Sequence, residues 1–279
     1  MRPRNSDHKH LLTIIVPISK MAGELHNLKN WVNTSLGLDV KVLLIHDFQD
    51  EATSLELNQL VNSINSQQVQ LIEKYSGSPG LTRNIGIANI DTDWCCFWDA
   101  DDFPDILKTL IIIGQSRARA EVIISNFAVN NLDKIKIQKH YSSLDQVAIN
   151  PGIWRMIFRS CLIKNHAFSS HLMGEDQIFL LDIRLSQRSI EFSSEVNYTY
   201  FKGNPFQLTS DKRHNTLNAL EEIRNNVANS KFAADRFLGI IFTRMFITSI
   251  RNLKRTYPIA HLLKNLIFLS RLPMGRSEE

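Results

Sequence analysis

Between Cys96 and Pro104 the chain reads CFWDADDFP, which crowds Asp99, Asp101 and Asp102 into four residues directly after an apolar run. Like charges this close repel unless something cationic holds them. A hard divalent cation is one answer, because Mg2+ or Mn2+ takes oxygen ligands and commonly joins one or two carboxylates to the phosphates of a substrate. The plain alternative is a solvated turn in which Asp102 caps a helix beginning near Pro104. Just upstream lies SGSPGLTRNIGIAN (76–89), where Gly77 and Gly80 give a flexible turn, Thr82 a hydroxyl, and Arg83 a permanent fork of donors at a helix start. Alone, Arg83 reads as a helix-surface residue. Followed by D-x-D-D, it reads as part of a ligand site.

Such residues need elements that bring them to one edge. Short, almost wholly apolar runs at 11–18, 41–47, 69–75, 93–99 and 121–129 read as strands. Segments 24–37, 52–64, 80–90 and 104–115 have the apolar spacing and length of crossover helices. The series is βαβ, which predicts a doubly wound, Rossmann-like α/β domain with a mostly parallel sheet flanked by helices. Ligands of such sheets sit at the carboxyl ends of the strands, and Pro17, Asp47 and Asp99 all lie at those ends. After residue 130 the rhythm turns mixed, and from about Asn215 the chain reads as helical throughout.

In this order the motifs resemble the inverting nucleotide-sugar glycosyltransferases of family 2, which have the GT-A fold. The first strand runs into a Pro-containing loop (TIIVPIS), and a second ends in an acidic residue (LLIHDFQDEAT), with His46 where the family has the first of two acids. A glycine turn then precedes an Arg-Asn-x-Gly helix (GLTRNIGI), and a further strand ends in FWDADD. Farther on, IWRMIFRS precedes a Glu-Asp pair in GEDQIFLLDI. The likeness spans roughly residues 11–210.

The resemblance implies metal-dependent, inverting transfer of a sugar from a nucleotide-sugar, with UDP the default, to a glycan or lipid-linked acceptor in polysaccharide or lipopolysaccharide assembly. It assigns Pro17 and Ser19 to the wall of the base pocket and Asp47 to hydrogen bonding with the base. It sets Arg83 near the nucleotide, Asp99 near the ribose or metal, and Asp101 on the Mn2+ or Mg2+ that bridges the diphosphate. Asp102 is a second ligand or a helix cap. Inversion needs one carboxylate to take the acceptor's proton, and Asp176 is the expected base with Glu175 beside it. Acidic residues are also favoured in a helix's first turn, which is the plain reading of that pair. Trp154 and Arg155 are acceptor-groove candidates with a core alternative, and His214 is a lid candidate with a surface alternative.

Other function classes predict other patterns. A nucleotidyltransferase would carry a Gly-rich basic loop after the first strand, and PISKMAGEL is a poor version of one. A non-catalytic nucleotide or glycan binder would tolerate loss of the acidic cluster or of Asp176, and both are present.

Composition bounds the rest. At 279 residues and 43% hydrophobic content the chain has a large core and is neither disordered nor fibrous. Three cysteines, Cys95, Cys96 and Cys161, two of them adjacent in an apolar run, suit a reducing cytoplasm better than a disulfide framework. LLTIIVPI is too short for a signal peptide or membrane span. From Lys231 onward nine Lys and Arg face three acidic residues, a net of +6 against +4 for the whole chain, so the basic character is C-terminal and no nucleic-acid partner is expected. No acidic residue occurs from Arg236 to Ser277, and that stretch reads either as helices lying on the inner face of an anionic membrane or as a hairpin packed on the domain. The expected organisation is a catalytic domain over 1–214, its donor half about 11–130 and its acceptor half about 131–214, then a basic amphipathic extension over 215–279.

Overall fold

The computed structural model describes residues 10–131, 134–138, 141–202, 216–253 and 256–273. Its first half alternates strand and helix: β1 (Leu12–Ile18), α1 (His26–Ser35), β2 (Val40–His46), α2 (Glu51–Ile64), β3 (Val69–Glu73), α3 (Pro79–Ile87) and β4 (Trp94–Phe97). β1 pairs in parallel with both β2 and β4, and β2 with β3. The strands read as unbroken apolar runs because both sheet faces are covered. In β1, Leu12, Ile14 and Val16 point into one buried layer with Leu28, Trp31 and Leu57, while Ile15 points into the other with Leu43 and Ile45.

Helix boundaries follow local chemistry. Asp50 caps α2 by accepting from the Thr53 amide, and Asn65 closes it in the left-handed region at φ 47°. Ser78 caps α3 by accepting from the Leu81 amide, with Pro79 in the first turn, where a missing N–H costs nothing. The next helix, α4 (Ile106–Gln115), starts two residues later than the sequence suggests, because Asp105 caps it and Phe103–Pro104 forms the short strand β5.

Then come β6 (Val122–Asn131), β7 (Lys134–Gln138), α5 (Leu144–Ile149), β8 (Met156–Arg159), α6 (Ser160–Ile163), α7 (Glu175–Asp182) and β9 (Ile190–Lys202). The sheet order is β3-β2-β1-β4-β8-β6-β9-β5, with β7 on β6. β8 lies antiparallel between β4 and β6, so β6 keeps the direction of the parallel strands without touching them. The sheet is therefore mixed beyond β4.

Helices α8 (Leu217–Ala228), α9 (Arg236–Leu253) and α10 (Ile259–Ser270) complete the fold, helical as expected. α9 is a core helix: Phe237, Leu238, Ile241, Phe242, Met245 and Phe246 are buried in the layer that holds Ile15 and Phe179. α10 differs, for it leaves Ile259, Leu263, Leu266 and Ile267 exposed. No described helix is long and apolar enough to cross a membrane.

Candidate active site

The carboxyl ends of β1, β2 and β4 open into a cavity of about 1030 Å3. Pro17 and Ser19 after β1, Asp47 after β2, Arg83 on α3, Asp99 and Asp101 after β4, and Glu175 and Asp176 at the start of α7 all line it. Residues far apart in the chain thus share one concavity.

Arg83 is its electrostatic hub. One guanidinium nitrogen, Nη2, donates to Asp99 Oδ1 at 3.1 Å, and the other, Nη1, donates to Glu175 Oε1 at 3.1 Å and Asp176 Oδ1 at 3.2 Å. Two devices bring α3 so close to α7. Gly80 has no side chain, and a Cβ there would sit 2.3 Å from the Ser169 carbonyl oxygen. Asn84, next to Arg83, clamps the other side: its amide nitrogen donates to the Phe168 carbonyl at 2.9 Å, and its amide oxygen accepts from the Phe168 N–H at 2.8 Å. The Phe168 ring lies 5.5 Å from the guanidinium carbon and helps exclude water. Gly174 precedes α7 as its N-cap, and its φ of 96°, which favours glycine, turns the chain so that Glu175 and Asp176 face Arg83.

One cation against three carboxylates leaves negative charge in excess. Burial opposes the Arg83 charge, but Asp176, Asp99 and Glu175 outweigh it and hold its pKa above the ordinary value. Burial likewise pushes the Asp176 carboxyl well above the usual range; Arg83 pulls it back, while Glu175 and Asp99 add to the rise. Glu175 is raised in the same way, chiefly by burial. Arg83 can neutralise only one of its three partners. Asp101 adds a further carboxylate to the wall. Among the described residues no three His, Cys, Asp or Glu side chains close a metal cage by themselves. The oxygen donors of Asp99 and Asp101, set in excess negative charge, still fit a Mg2+ or Mn2+ whose remaining ligands are phosphate and water.

Asp102 is neither a ligand facing the cavity nor the cap of α4. It is fully buried, accepting from the Tyr198 hydroxyl at 2.6 Å and the Phe201 amide at 2.7 Å. Tyr198 in turn accepts from the Asp99 amide at 3.2 Å, so a relay from β9 fixes the turn that carries Asp99 and Asp101. Burial, then Asp99 and Asp101, push the Asp102 carboxyl well up.

Asp47 lines the cavity but is already engaged. It accepts from the Ser76 and Gly77 amides at 2.7 and 3.1 Å and from the Gln49 side chain at 2.7 Å. Burial opposes its charge, yet those hydrogen bonds win and lower its pKa. His46 turns away from the cavity to Glu73, at 3.2 Å. Trp154 lines the cavity and stacks on Tyr198 and Tyr200 at 4.7 and 5.7 Å. Arg155 lies wholly in the core, its guanidinium 3.6 Å from the Tyr141 ring centre and Nη2 donating to the Asn150 carbonyl at 2.5 Å. His214 lies outside the described residues.

Sequence reading passed over Asn84, Gln49, Tyr198 and Arg244. Asn84 belongs to the Arg-Asn-x-Gly motif, and the alternation of Tyr198 and Tyr200 along NYTYF is a strand signal. For Gln49 and Arg244, which line the cavity, no local signal exists.

The model of the family described as "Glycosyl transferase family 2" matches residues 13–176. The crystal structure of S. aureus TarS 1–349 in complex with UDP-GlcNAc is similar at TM-score 0.74 and 17% identity, over 94% of this chain and 82% of that one. Mannosyltransferase PcManGT from Pyrobaculum calidifontis, in complex with GDP-Man and Mn2+, is similar at TM-score 0.60 and 12% identity, over 95% of this chain and 81% of that one. No curated protein matches the chain.

Proposed function

The chain belongs to glycosyl transferase family 2 and is a glycosyltransferase, and on that premise we propose that it moves a sugar from a nucleoside diphosphate donor to a hydroxyl acceptor with inversion. The observation that carries this reading is Arg83 joining Asp99 to Glu175 and Asp176 within one cavity. The donor diphosphate lies on the Asp99 and Asp101 side, with the base of the nucleotide against Pro17, Ser19 and Asp47. Asp99 and Asp101 would hold a divalent cation, Mn2+ or Mg2+, which would supply a Lewis acid for the negative charge of the departing diphosphate. Asp176 takes the proton of the acceptor hydroxyl as its oxygen bonds to the anomeric carbon; the bond from that carbon to the diphosphate oxygen breaks, and its electron pair leaves with the diphosphate. Arg83 keeps Asp176 aimed and favours its ionised form against the burial that raises its pKa. A donor half over about 11–130 and an acceptor half over about 131–214 suit this division of labour.

The solved relatives support a nucleotide-sugar donor, since TarS is complexed with UDP-GlcNAc and PcManGT with GDP-Man and Mn2+. A thermal-shift series with UDP and GDP, each with and without Mn2+, tests this. Ligand at a hundred times its Kd stabilises by about 2.7 kcal/mol, so one nucleotide should raise the melting temperature only when the metal is present. No shift with any nucleotide overturns the reading.

A membrane-borne acceptor is supported by α10. Its exposed Ile259, Leu263, Leu266 and Ile267 form one stripe, Lys264 is exposed beside it, and the surrounding sequence has no acidic residue. Such a face suits an anionic bilayer on the cytoplasmic side, and the cysteines Cys95, Cys96 and Cys161 are unpaired.

A further inference from the structure

The catalytic cavity does not end at its acidic wall. A second concavity of about 530 Å3 adjoins it and shares Arg244 and Thr248 with it. Its other walls are Ile240, Thr243, Ile247 and Arg251 on α9 and Ile149 at the end of α5. On α9 these residues fall at spacings of three, four and seven, which is a single helical stripe, and Arg244 and Arg251 lie about 10 Å apart along the axis. Ile149 and Ile247 are 58% and 42% exposed, so the groove has an apolar floor open to solvent.

Both arginines are exposed to solvent. Among the described residues neither makes a hydrogen bond or ion pair, whereas Arg236 on the same helix is tied to Asp145 at 2.8 Å. Desolvation in the concavity draws the Arg244 pKa down, and Tyr141 opposes the shift. The groove also starts beside the base. Met245, the neighbour of Arg244, packs on Gly174, where an added Cβ would meet its methyl at 3.0 Å, and Gly174 is two residues from Asp176. An anionic acceptor entering the cavity is repelled by its carboxylates and attracted to this wall.

We propose that Arg244 and Arg251 form an acceptor subsite for a phosphate group, with the isoleucine floor beside it taking an apolar chain, so that a hydroxyl of the same acceptor reaches Asp176. The subsite rests on the glycosyltransferase reading and narrows its acceptor to a phosphate-bearing molecule. Phosphate favours the paired, forked donors of arginine, and the Thr248 hydroxyl supplies a further donor, the Thr243 hydroxyl being given to the Gly239 carbonyl.

Calorimetric titration of the whole protein with octyl phosphate and with inorganic phosphate, at saturating UDP and Mg2+ so that the diphosphate site is filled, tests this directly. Octyl phosphate should bind, and Arg244→Ala with Arg251→Ala should weaken it at least ~10-fold, the scale of losing a charged hydrogen bond. Arg244→Lys with Arg251→Lys should retain part of the affinity, which separates charge from folding. Tighter binding of octyl phosphate than of inorganic phosphate assigns a lipid-borne group; equal binding assigns a phosphate on a soluble chain. The subsite is overturned if wild-type protein binds neither probe, or if the double alanine variant binds them as wild type does. Metal-dependent UDP binding of the wild-type protein, measured alone, reports on the donor reading separately.

Discussion

Tyr198 donates its phenolic proton to Asp102 across 2.6 Å, joining residues 96 positions apart in a buried pair. The pair explains why the D-x-D-D turn carries its last acid: Asp99 and Asp101 face the cavity, while Asp102 anchors their turn to β9. Tyr198 is also the acceptor for the Asp99 amide, so one hydroxyl holds both ends of the turn.

Tyr198→Phe should therefore destabilise the protein by about 1–3 kcal/mol, the usual effect of leaving a buried polar group without its partner. Urea denaturation gives the value. A variant as stable as wild type would show that Asp102 finds another donor.

Removing Arg83 should be worse. Arg83→Ala leaves Asp99, Glu175 and Asp176 facing each other without a cation, and breaking a buried ion pair from one side costs about 3–5 kcal/mol. The pH dependence has a definite sign. Glu175 and Asp176 have raised carboxyl pKa values in the folded state, so their favourable contribution is complete below the unfolded carboxylate range and is lost as pH rises through the folded values. The variant should regain stability on acidification and on adding Mn2+. Denaturation curves across pH, with and without the metal, check both.

Much of this site was legible because its parts sit where local chemistry announces them. D-x-D-D and HD follow apolar runs that could only be strands, and Arg-Asn-x-Gly opens a helix with its own cap and proline. The fate of Asp102 was not legible, because its partner comes from β9, whose segment EFSSEV hides a strand behind polar residues. The insertion of β8 was equally hidden: MIFR is four residues long, and antiparallel pairing between β4 and β6 leaves no mark in the order of elements. Asn84 stood in plain view beside Arg83, yet its two hydrogen bonds to Phe168 depend on a loop 84 positions away.

Asp101→Ala should abolish metal-dependent nucleotide binding with the fold intact, since Asp101 is partly exposed and its backbone carbonyl, which accepts from the Asn27 side chain at 2.9 Å, is kept. Titration with UDP in Mn2+ decides it. Unchanged affinity would remove Asp101 from the metal.

For α10, Leu263→Ser together with Leu266→Ser should leave the melting temperature almost unchanged, because both side chains are exposed, yet reduce co-sedimentation with anionic vesicles. Each basic residue near such a surface adds roughly 1 kcal/mol, so binding should also fall with salt. Equal binding to neutral vesicles, or no effect of the substitutions, refutes attachment through this helix.

Asp176→Asn should leave donor binding nearly unchanged and lower turnover by at least the ~10²-fold typical of losing a general base. The amide keeps the shape of the carboxylate but cannot take the acceptor's proton, while Arg83 still has Asp99 and Glu175 to hold it. Glu175→Gln is the control. Glu175 is the more buried of the two, with a side chain 11% exposed against 19% for Asp176, and adjacent helical side chains point about 100° apart, so one of them faces the substrate. The pH profile separates a base from a merely structural acid. Burial raises the Asp176 carboxyl, and the base must be ionised to work, so wild-type kcat should fall on acidification at a pH above the ordinary aspartate range. That acid limb should vanish in Asp176→Asn and persist in Glu175→Gln; if it vanishes with Glu175 instead, the proton goes to the neighbour.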